Sequence, residues 1–261
     1  MRIIRFEAFR NIKYGMVDGD VVRGFQDNPF RNFKVPGSSF PLDRTIYKMS
    51  EIKLLATCNP SKYVGIGLNF RKTAENSKMP IPKVPIIFLK PNTSVIGPND
   101  NIILPPAPSR VIHEGELALV IGKAAKDVPE ERAREYLLGF TCTDDVSDTF
   151  SFEEDRGNPT RAKGQDTFGP LGPWIETEVD PDDLKIEVYV NSELRQCGST
   201  SDFIFGVNKI ITFVSSVMTL LPGDIIAMGT PPGADQIKPG DVVEVKIDRI
   251  GTLKNPVVGS N

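Results

Sequence analysis

Glycine and proline interrupt this chain at short intervals, and these interruptions limit how long its regular elements can be. Each of the two residues occurs 22 times among the 261 residues. Proline has no backbone N–H and glycine has no side chain to pack, so both tend to end helices and strands. The sequence therefore predicts many short strands joined by turns, and it argues against a fold built from long helices.

Strand patterns outnumber helical patterns along the chain. Residues 129–139 have a helical pattern that opens with proline and acids and closes with glycine, and Asp202 is placed to cap a second helix that runs to about Leu220. Short apolar runs bounded by turns predict strands at residues 85–89, 114–122, 140–145, 225–228 and 242–247. The predicted fold class is therefore α+β and rich in β-structure.

The pattern divides the chain into a small N-terminal domain, residues 1–57, and a larger domain, residues 58–261. In the small domain, Asp18-Gly19 lies between two strand-like runs and is typical of a β-hairpin. Residues 28–43 form a connection rich in Pro, Gly and Ser. This domain contains no pattern that indicates catalysis, so we expect it to be a packing appendage and look for the function in the larger domain.

Charge and composition exclude several classes of partner. The chain has 31 Lys and Arg against 34 Asp and Glu, a net charge of −3, with no basic stripe that would favour nucleic acid or an anionic membrane. Residues 1–10 lack the apolar core of a signal peptide, and the longest apolar stretch, residues 210–221, is too short and too polar to span a bilayer. Three cysteines without CxxC spacing argue against a disulfide framework. We expect a cytoplasmic protein.

Two acids in one predicted strand are the first indication of chemistry. Side chains alternate along a strand, so Glu114 and Glu116 point the same way, about 7 Å apart. Two carboxylates in an otherwise apolar strand repel each other and lose hydration unless a positive charge lies between them. A divalent cation meets both needs, and oxygen ligands favour Mg²⁺, Mn²⁺ or Ca²⁺. The alternative is an exposed edge strand with two surface glutamates.

Two further residues strengthen the metal hypothesis. Asp145 follows the predicted strand 140–145 and could reach the same ion from a neighbouring strand. Lys163 lies in a loop rich in Gly and Pro, where functional residues are common, although taken alone a solvated lysine is the simpler interpretation.

The ordered motifs of the larger domain resemble those of the fumarylacetoacetate hydrolase (FAH) superfamily, from about Tyr63 to Val257. Glu114-Gly-Glu-Leu-Ala-Leu-Val-Ile-Gly-Lys is similar to the family's EGELAVVIGK, and Thr143-Asp-Asp-Val-Ser to its NDVS segment. Further resemblances are those of Lys163-Gly-Gln-Asp-Thr-Phe-Gly-Pro-Leu-Gly-Pro to KxxDTFxPxGP, Met228-Gly-Thr-Pro-Pro-Gly to TGTPxG, Lys238-Pro-Gly-Asp-Val-Val-Glu to LKPGDVVE and Gly251-Thr-Leu-Lys-Asn to GTLxN.

The resemblance implies a fold, a metal site and a substrate class. The fold would be the FAH-type mixed β-sandwich roll, commonly a homodimer, with Mg²⁺ or Mn²⁺ held by Glu114, Glu116 and Asp145. A small 2-oxo acid or 1,3-dicarbonyl substrate would chelate the metal. Lys163 and the Gly229-Thr230 turn would hold the substrate carboxylate or the developing enolate, and we also assign Asn69 and Arg71 to substrate binding. Gln196 stands in the family's RQ pair, for which we favour a packing role.

The sequence departs from the family in the lid segment. Hydrolases and decarboxylases of the family carry a catalytic His and Glu in a segment like NYxxHxxE. Here Thr73 stands at the histidine position and Asn76 at the glutamate position, while Glu75 lies one residue early, about 100° away around a helix. The chain's only histidine, His113, points by strand alternation away from the acid pair, so we expect it to be packed or on the surface.

These departures favour one reaction class over another. Isomerisation of an enol or dienol 2-oxo acid needs metal polarisation and a modest proton carrier, which Lys163 or Glu75 could supply. We therefore favour isomerase or C–C lyase chemistry with Lys163 and Glu75 as catalytic residues. Hydrolysis of an acylpyruvate or fumarylacetoacetate-type substrate needs an activated water and is the alternative. A third hypothesis, of another class, is a protein that keeps the metal ligands and binds a 2-oxo acid without converting it.

Overall fold

The computed structural model describes residues 1–260, which contain 19 strands in three sheets. Five strands precede residue 58, namely β1 (Arg2–Ala8), β2 (Asn11–Asp18), β3 (Val21–Phe25), β4 (Leu42–Lys48) and β5 (Lys53–Leu54). The rest are β6 (Tyr63–Gly67), β7 (Ile86–Lys90), β8 (Val95–Ile96), β9 (Ile102–Leu104), β10 (Val111–Ile112), β11 (Gly115–Ile121), β12 (Leu137–Asp144), β13 (Ser147–Asp148), β14 (Gly169–Glu176), β15 (Lys185–Val190), β16 (Glu193–Ser199), β17 (Ile225–Ala227), β18 (Val242–Ile247) and β19 (Gly251–Gly259).

The helices are short, as the spacing of Gly and Pro predicts. They are α1 (Pro29–Asn32), α2 (Arg71–Asn76), α3 (Thr149–Glu154), α4 (Pro159–Lys163) and α5 (Val207–Val217). Short 3-10 helices cover Met49–Glu51, Asn92–Ser94, Glu130–Tyr136, Pro181–Asp183 and Thr200–Asp202. In residues 1–260, no helix has the length and the apolar character needed to cross a bilayer. The β-rich α+β class predicted from the sequence is confirmed.

One large sheet runs through both predicted domains. Its strands follow the order β4-β3-β2-β1-β14-β12-β11-β17-β6-β7, with β5 and β8 paired at its sides. The antiparallel pairing of β1 with β14, Arg2 opposite Glu176, joins the N-terminal strands to the main sheet across the predicted boundary at residue 57. The β2–β3 hairpin turns at Gly19, whose φ of 59° suits glycine. A second sheet, β16-β15-β18-β19-β9, packs on the first.

Strand β11 is buried on both of its faces. Leu117, Leu119 and Ile121 join the main core cluster, which also contains the apolar side of α5 and the inner face of the five-stranded sheet. Ala118 and Val120 point the other way into a second cluster with Tyr63, Ile3 and Leu138. This double burial explains the uninterrupted apolar sequence of the strand and places its polar N-terminal end inside the protein.

Two helix limits differ from the sequence prediction. Asp202 does not cap α5, which begins at Val207 after Gly206, and its carboxylate accepts instead from the backbone N–H of Lys72 at 3.0 Å. The predicted helix 129–139 is a 3-10 helix that ends at Tyr136. From Leu137 onward the chain pairs with β11, because burial of its leucines in the sheet outweighs their helical propensity.

Candidate active site

Glu114 and Asp145 meet where two neighbouring strands end. Strands β11 and β12 pair antiparallel with Gly115 opposite Asp144, so the residues just beyond that pair lie together. The backbone N–H of Asp145 donates to the Glu114 carbonyl at 2.9 Å, and the Glu114 N–H donates to the Asp144 carboxylate at 2.7 Å. Glu116 lies in β11, two residues after Glu114, and is 3% exposed. We call Glu114, Glu116 and Asp145 the carboxylate cluster.

Lys163 brings an ammonium group into this cluster from the end of α4. Asn158 caps that helix by accepting from the Thr160 N–H at 3.0 Å. The Lys163 Nζ contacts Glu114 Oε2 and Asp145 Oδ2, and the ring of Phe88 lies 5.0 Å away. Burial alone would lower the pKa of Lys163, but the three carboxylates of the cluster outweigh it and raise the pKa.

Lys90 places a second ammonium at the cluster and was not predicted from the sequence. Its side chain is fully buried at the end of β7 and donates to Asp145 Oδ1 at 2.5 Å and to the Val146 carbonyl at 2.9 Å. Burial would raise the pKa of Asp145, but the ammonium groups of Lys163 and Lys90 hold it below its usual value. The only sequence indication was one lysine at the end of an apolar run, a pattern equally common at exposed strand ends.

Glu116 is held by the Gly229 turn. The Gly229 N–H donates to Glu116 Oε2 at 2.6 Å. Gly229 has a φ of 96°, and a Cβ there would lie 2.8 Å from the Asn69 Cβ, so both the backbone angle and the space require glycine. Burial raises the pKa of Glu116 well above its usual value, and the nearby charge of Asp145 adds to this effect.

The carboxylate cluster has the chemistry of a site for a hard divalent cation. Within residues 1–260, no three acidic, His or Cys side chains are spaced as ligands of one ion, and the Lys163 ammonium lies between Glu114 and Asp145. That ammonium occupies a place where three carboxylates exert their charge together. Glu116 forms no ion pair in the described part of the chain, so three carboxyl groups face two ammonium groups. A set of three carboxyl groups supplies the oxygen donors that Mg²⁺ or Mn²⁺ prefers.

Comparison with protein families gives two matches along the chain. Residues 62–258 match the family described as fumarylacetoacetate (FAA) hydrolase C-terminal, and residues 1–56 match Rv2993c-like, N-terminal. The chain belongs to the fumarylacetoacetate hydrolase family.

Solved structures of this family superpose on the whole chain. The 5-carboxymethyl-2-hydroxymuconate delta-isomerase from Mycobacterium smegmatis is 40% identical with a TM-score of 0.92, covering 100% of both chains. The 2-hydroxyhepta-2,4-diene-1,7-dioate isomerase from Mycobacterium marinum is 40% identical with a TM-score of 0.91, covering 100% of this chain and 99% of that one. The maleylpyruvate hydrolase from Sphingobium sp. SYK-6, solved with manganese(II) and pyruvate, is 30% identical with a TM-score of 0.82, covering 100% of both chains.

Asn69 lies beside the Gly229 turn of this family member, with its amide bonded to protein backbone. Its Nδ2 donates to the Met228 carbonyl at 2.8 Å and to the Phe205 carbonyl at 3.1 Å. Its Oδ1 accepts from the Phe205 N–H at 2.9 Å. Asn69 therefore fixes the turn in this structure, and its predicted contact with substrate remains a prediction.

Helix α2 carries the residues that replace the lid pair. Thr73, at the histidine position, donates its hydroxyl hydrogen to the Thr230 carbonyl at 3.0 Å, so this position lies next to the turn. Arg71, Glu75 and Asn76 are exposed on the outer side of the helix. In residues 1–260, no hydrogen bond or ion pair joins Arg71 or Glu75 to the carboxylate cluster. The predicted roles of Arg71 and Glu75 thus remain predictions.

His113 is packed in the interior. It is 0% exposed, and its Nδ1 lies 3.0 Å from Gln196 Oε1. Burial lowers the pKa of His113. His113 is thus packed in the interior two residues before β11 begins.

Proposed function

We propose that this protein is a divalent-metal-dependent enzyme that acts on a small 2-oxo acid or its enol or dienol form, by isomerase or C–C lyase chemistry. One observation carries the proposal: the three buried or half-buried carboxylates of Glu114, Glu116 and Asp145 gather around the Lys163 ammonium. These three residues would hold Mg²⁺ or Mn²⁺, with Ca²⁺ a further candidate.

The bound ion would supply Lewis-acid polarisation of the substrate's keto oxygen. The protein's own residues would do the rest. Lys163 would move from the carboxylates to the substrate and stabilise negative charge on the carboxylate or the enolate oxygen. The Gly229 N–H would keep Glu116 in place, and Thr230 would line the same turn. Glu75 is the proposed proton carrier. It lies on α2, the helix that contacts the Gly229 turn through Thr73.

The similarity to known enzymes supports this reading. Two isomerases of hydroxymuconate-type and dienoate substrates are each 40% identical to this chain over its whole length. The absence of a histidine at position 73 also favours a reaction that does not need a strong base to activate water.

Hydrolysis of an acylpyruvate is the second candidate. The observation that favours it is the match to maleylpyruvate hydrolase, whose structure holds manganese(II) and pyruvate. The same carboxylates could serve such a reaction, but a residue that activates water would have to be found among the loops around the site.

The test is an assay of the purified protein with Mg²⁺, with Mn²⁺ and with EDTA. The substrates are a 2-hydroxy-2,4-diene dicarboxylate, oxaloacetate and an acylpyruvate, followed by ultraviolet absorbance and by pyruvate release. We expect metal-dependent loss of the dienol, whereas pyruvate release from the acylpyruvate alone would establish the hydrolase. If every substrate is inert while oxalate binds to the metal-loaded protein, the protein binds 2-oxo acids without catalysis and the proposal is wrong.

Glu116→Gln tests the metal assignment directly. We expect it to lower Mn²⁺ affinity at least tenfold, because the change removes one charged ligand. The matched control is Glu187→Gln, which alters a buried carboxylate on β15 that pairs with Lys185 at 2.6 Å and with Lys246 at 3.5 Å. Wild-type Mn²⁺ affinity in Glu116→Gln would refute the assignment.

We propose further that the enzyme is a cytoplasmic homodimer. Strand β7 is at the edge of the large sheet and exposes Ile86 and Leu89, and the preceding segment exposes Val84 and Ile81. Such an apolar edge is typical of a surface that a second copy covers. Light scattering of the purified protein tests this, and a monomer at micromolar concentration would contradict it.

A further inference from the structure

Gln196 connects the two sheets at the active site. It lies on β16 of the five-stranded sheet, where the neighbouring Arg195 and Cys197 are exposed, yet its own side chain is 0% exposed. A buried primary amide is costly unless its hydrogen-bonding groups are paired. In this chain the amide oxygen accepts two hydrogen bonds and the amide nitrogen donates two, so its pairing is complete.

The partners of Gln196 define its orientation. Oε1 accepts from the Gly115 N–H at 3.1 Å, and Nε2 donates to the Pro231 carbonyl at 2.6 Å and to Thr230 Oγ1 at 2.8 Å. A backbone N–H can only donate and a carbonyl can only accept, so the reverse amide orientation is excluded. It follows that His113 Nδ1, 3.0 Å from Oε1, carries the ring proton.

These partners belong to the two segments that hold Glu116. Gly115 lies between the first two carboxylates of the cluster, and Thr230 follows the glycine whose N–H binds Glu116 Oε2. The Thr230 hydroxyl also donates to the Gly115 carbonyl at 2.9 Å. The bonds form a closed ring from Gln196 through the Gly115 strand and Glu116 to the Gly229 turn and back.

Close packing keeps this ring in register. A Cβ on Gly115 would lie 2.3 Å from Val188 Cγ2 on β15, the strand that pairs with β16 opposite Gln196. The bare backbone of Gly115 therefore lets the two sheets approach closely enough for the Gln196 amide to span them. Within residues 1–260, no other side chain of the five-stranded sheet hydrogen-bonds to the carboxylate cluster, to Gly115 or to the Gly229 turn.

We infer that Gln196 is a positioning residue of the active site: it fixes the distance between the start of β11, at Gly115 and Glu116, and the turn that holds Glu116. This inference rests on the proposed function for its effect on metal binding. Within residues 1–260, Gln196 forms no hydrogen bond with the three carboxylates. It acts through Gly115 and Thr230.

Gln196→Glu tests the inference with almost no change of shape. The carboxylate cannot donate to the Pro231 carbonyl or to Thr230, so the ring opens at the turn. Partners that orient a metal ligand typically contribute about ten- to hundredfold to metal affinity. We expect Gln196→Glu to weaken Mn²⁺ binding by about that factor, measured by the electron paramagnetic resonance of free Mn²⁺. Gln196→Met, an uncharged residue of similar length, is the second variant if the first does not fold.

The matched control is Asn255→Asp. Asn255 is a buried amide on β19 of the same sheet, and its Nδ2 donates to the Gly97 carbonyl at 2.9 Å and to the Asp100 carbonyl at 2.8 Å. The Asn255→Asp variant loses these two equivalent hydrogen bonds, which lie away from the carboxylate cluster. We expect lower stability in both variants but wild-type Mn²⁺ affinity only in the control.

Hydrogen exchange separates failure of the inference from failure of the proposed function. In EDTA, we expect the peptide that covers residues 228–231 to exchange faster in Gln196→Glu than in Asn255→Asp. Unchanged exchange there, or wild-type Mn²⁺ affinity in both Gln196 variants, would overturn the positioning role. If exchange accelerates but the wild-type protein binds no Mn²⁺, the proposed metal site is wrong while the positioning role of Gln196 stands.

Discussion

Lys90→Met should destabilise the protein, because it removes a buried charge at the site that was not predicted from the sequence. The Lys90 ammonium is 0% exposed and gives one hydrogen bond to Asp145 Oδ1 at 2.5 Å and one to the Val146 carbonyl at 2.9 Å. Methionine fills a similar volume but leaves one oxygen of a buried carboxylate without its partner. Loss of one member of a buried ion pair typically costs about 3–5 kcal/mol.

The lower end of that range applies here. Asp145 keeps its contact with Lys163 after the substitution, so its charge is only partly uncompensated. We therefore expect the free energy of unfolding to fall by about 3 kcal/mol. For a chain of this length, that change lowers Tm by about 6 °C. The assay is urea unfolding in EDTA, followed by far-ultraviolet circular dichroism. The double variant Lys90→Met with Asp145→Asn should lose less than the sum of the two single changes, since residue 145 then carries no charge that could be left without its partner.

Lys62→Met is the matched control for this experiment. Lys62 pairs with buried Asp224 at 2.5 Å, and its own side chain is 20% exposed. Asp224 retains donors from the Ser61 N–H at 3.0 Å, the Ser61 hydroxyl at 2.7 Å and the Leu221 N–H at 2.7 Å. We expect a loss of only about 1 kcal/mol. If Lys90→Met lowers the free energy of unfolding no more than Lys62→Met does, Lys90 does not compensate a buried charge at the cluster.

Two further predictions concern packing and pH. Gly65→Ala would place a Cβ 2.1 Å from the Phe88 ring and should destabilise the fold by about 1–3 kcal/mol. Gly67→Ala is the control, because the nearest atom to its Cβ would lie at 3.5 Å, and we expect no destabilisation. Equal thermal unfolding temperatures of the two variants would contradict this prediction. Burial would raise the pKa of Asp43, but the hydrogen bonds from Lys13 and Thr45 together outweigh it and lower the pKa. These contacts therefore stabilise the fold above about pH 4, and their contribution is lost as the pH falls below that value. In acid titrations of the free energy of unfolding, Asp43→Asn should reduce the loss of stability below about pH 4 by less than about 1 kcal/mol. An unchanged loss of stability would exclude the Lys13–Asp43 pair as its cause.

The local elements of the fold could be predicted because their patterns are local. The apolar run after Glu116 is a strand buried on both faces, and Asp18-Gly19 makes a hairpin. The end of the predicted helix 129–139 was wrong because Leu137 gains more from pairing with β11 than from helix formation. The start of α5 was wrong because Asp202 finds a donor on α2, far away in sequence.

The composition of the site was visible in the sequence, but its arrangement was not. Glu114, Glu116, Asp145 and Lys163 stand in motifs that a reader of the chain alone can assign to the FAH family. Motifs specify residue types at fixed spacing and carry no distances between segments. Only the pairing of β11 with β12 and the position of α4 show that the Lys163 ammonium lies between two of the carboxylates.

Lys90 and Gln196 show what the sequence alone does not predict. Each is one polar residue in a strand, and its role depends on hydrogen-bond partners 34 to 83 residues away along the chain. Burial is a property of the packed sheets, and it is burial that makes a hydrogen bond or a charge at these positions costly to lose. The amino-acid sequence by itself thus determined the strands, the turns and the reactive side chains. The tertiary structure decided which polar residues are buried together, and so which of them hold the site in place.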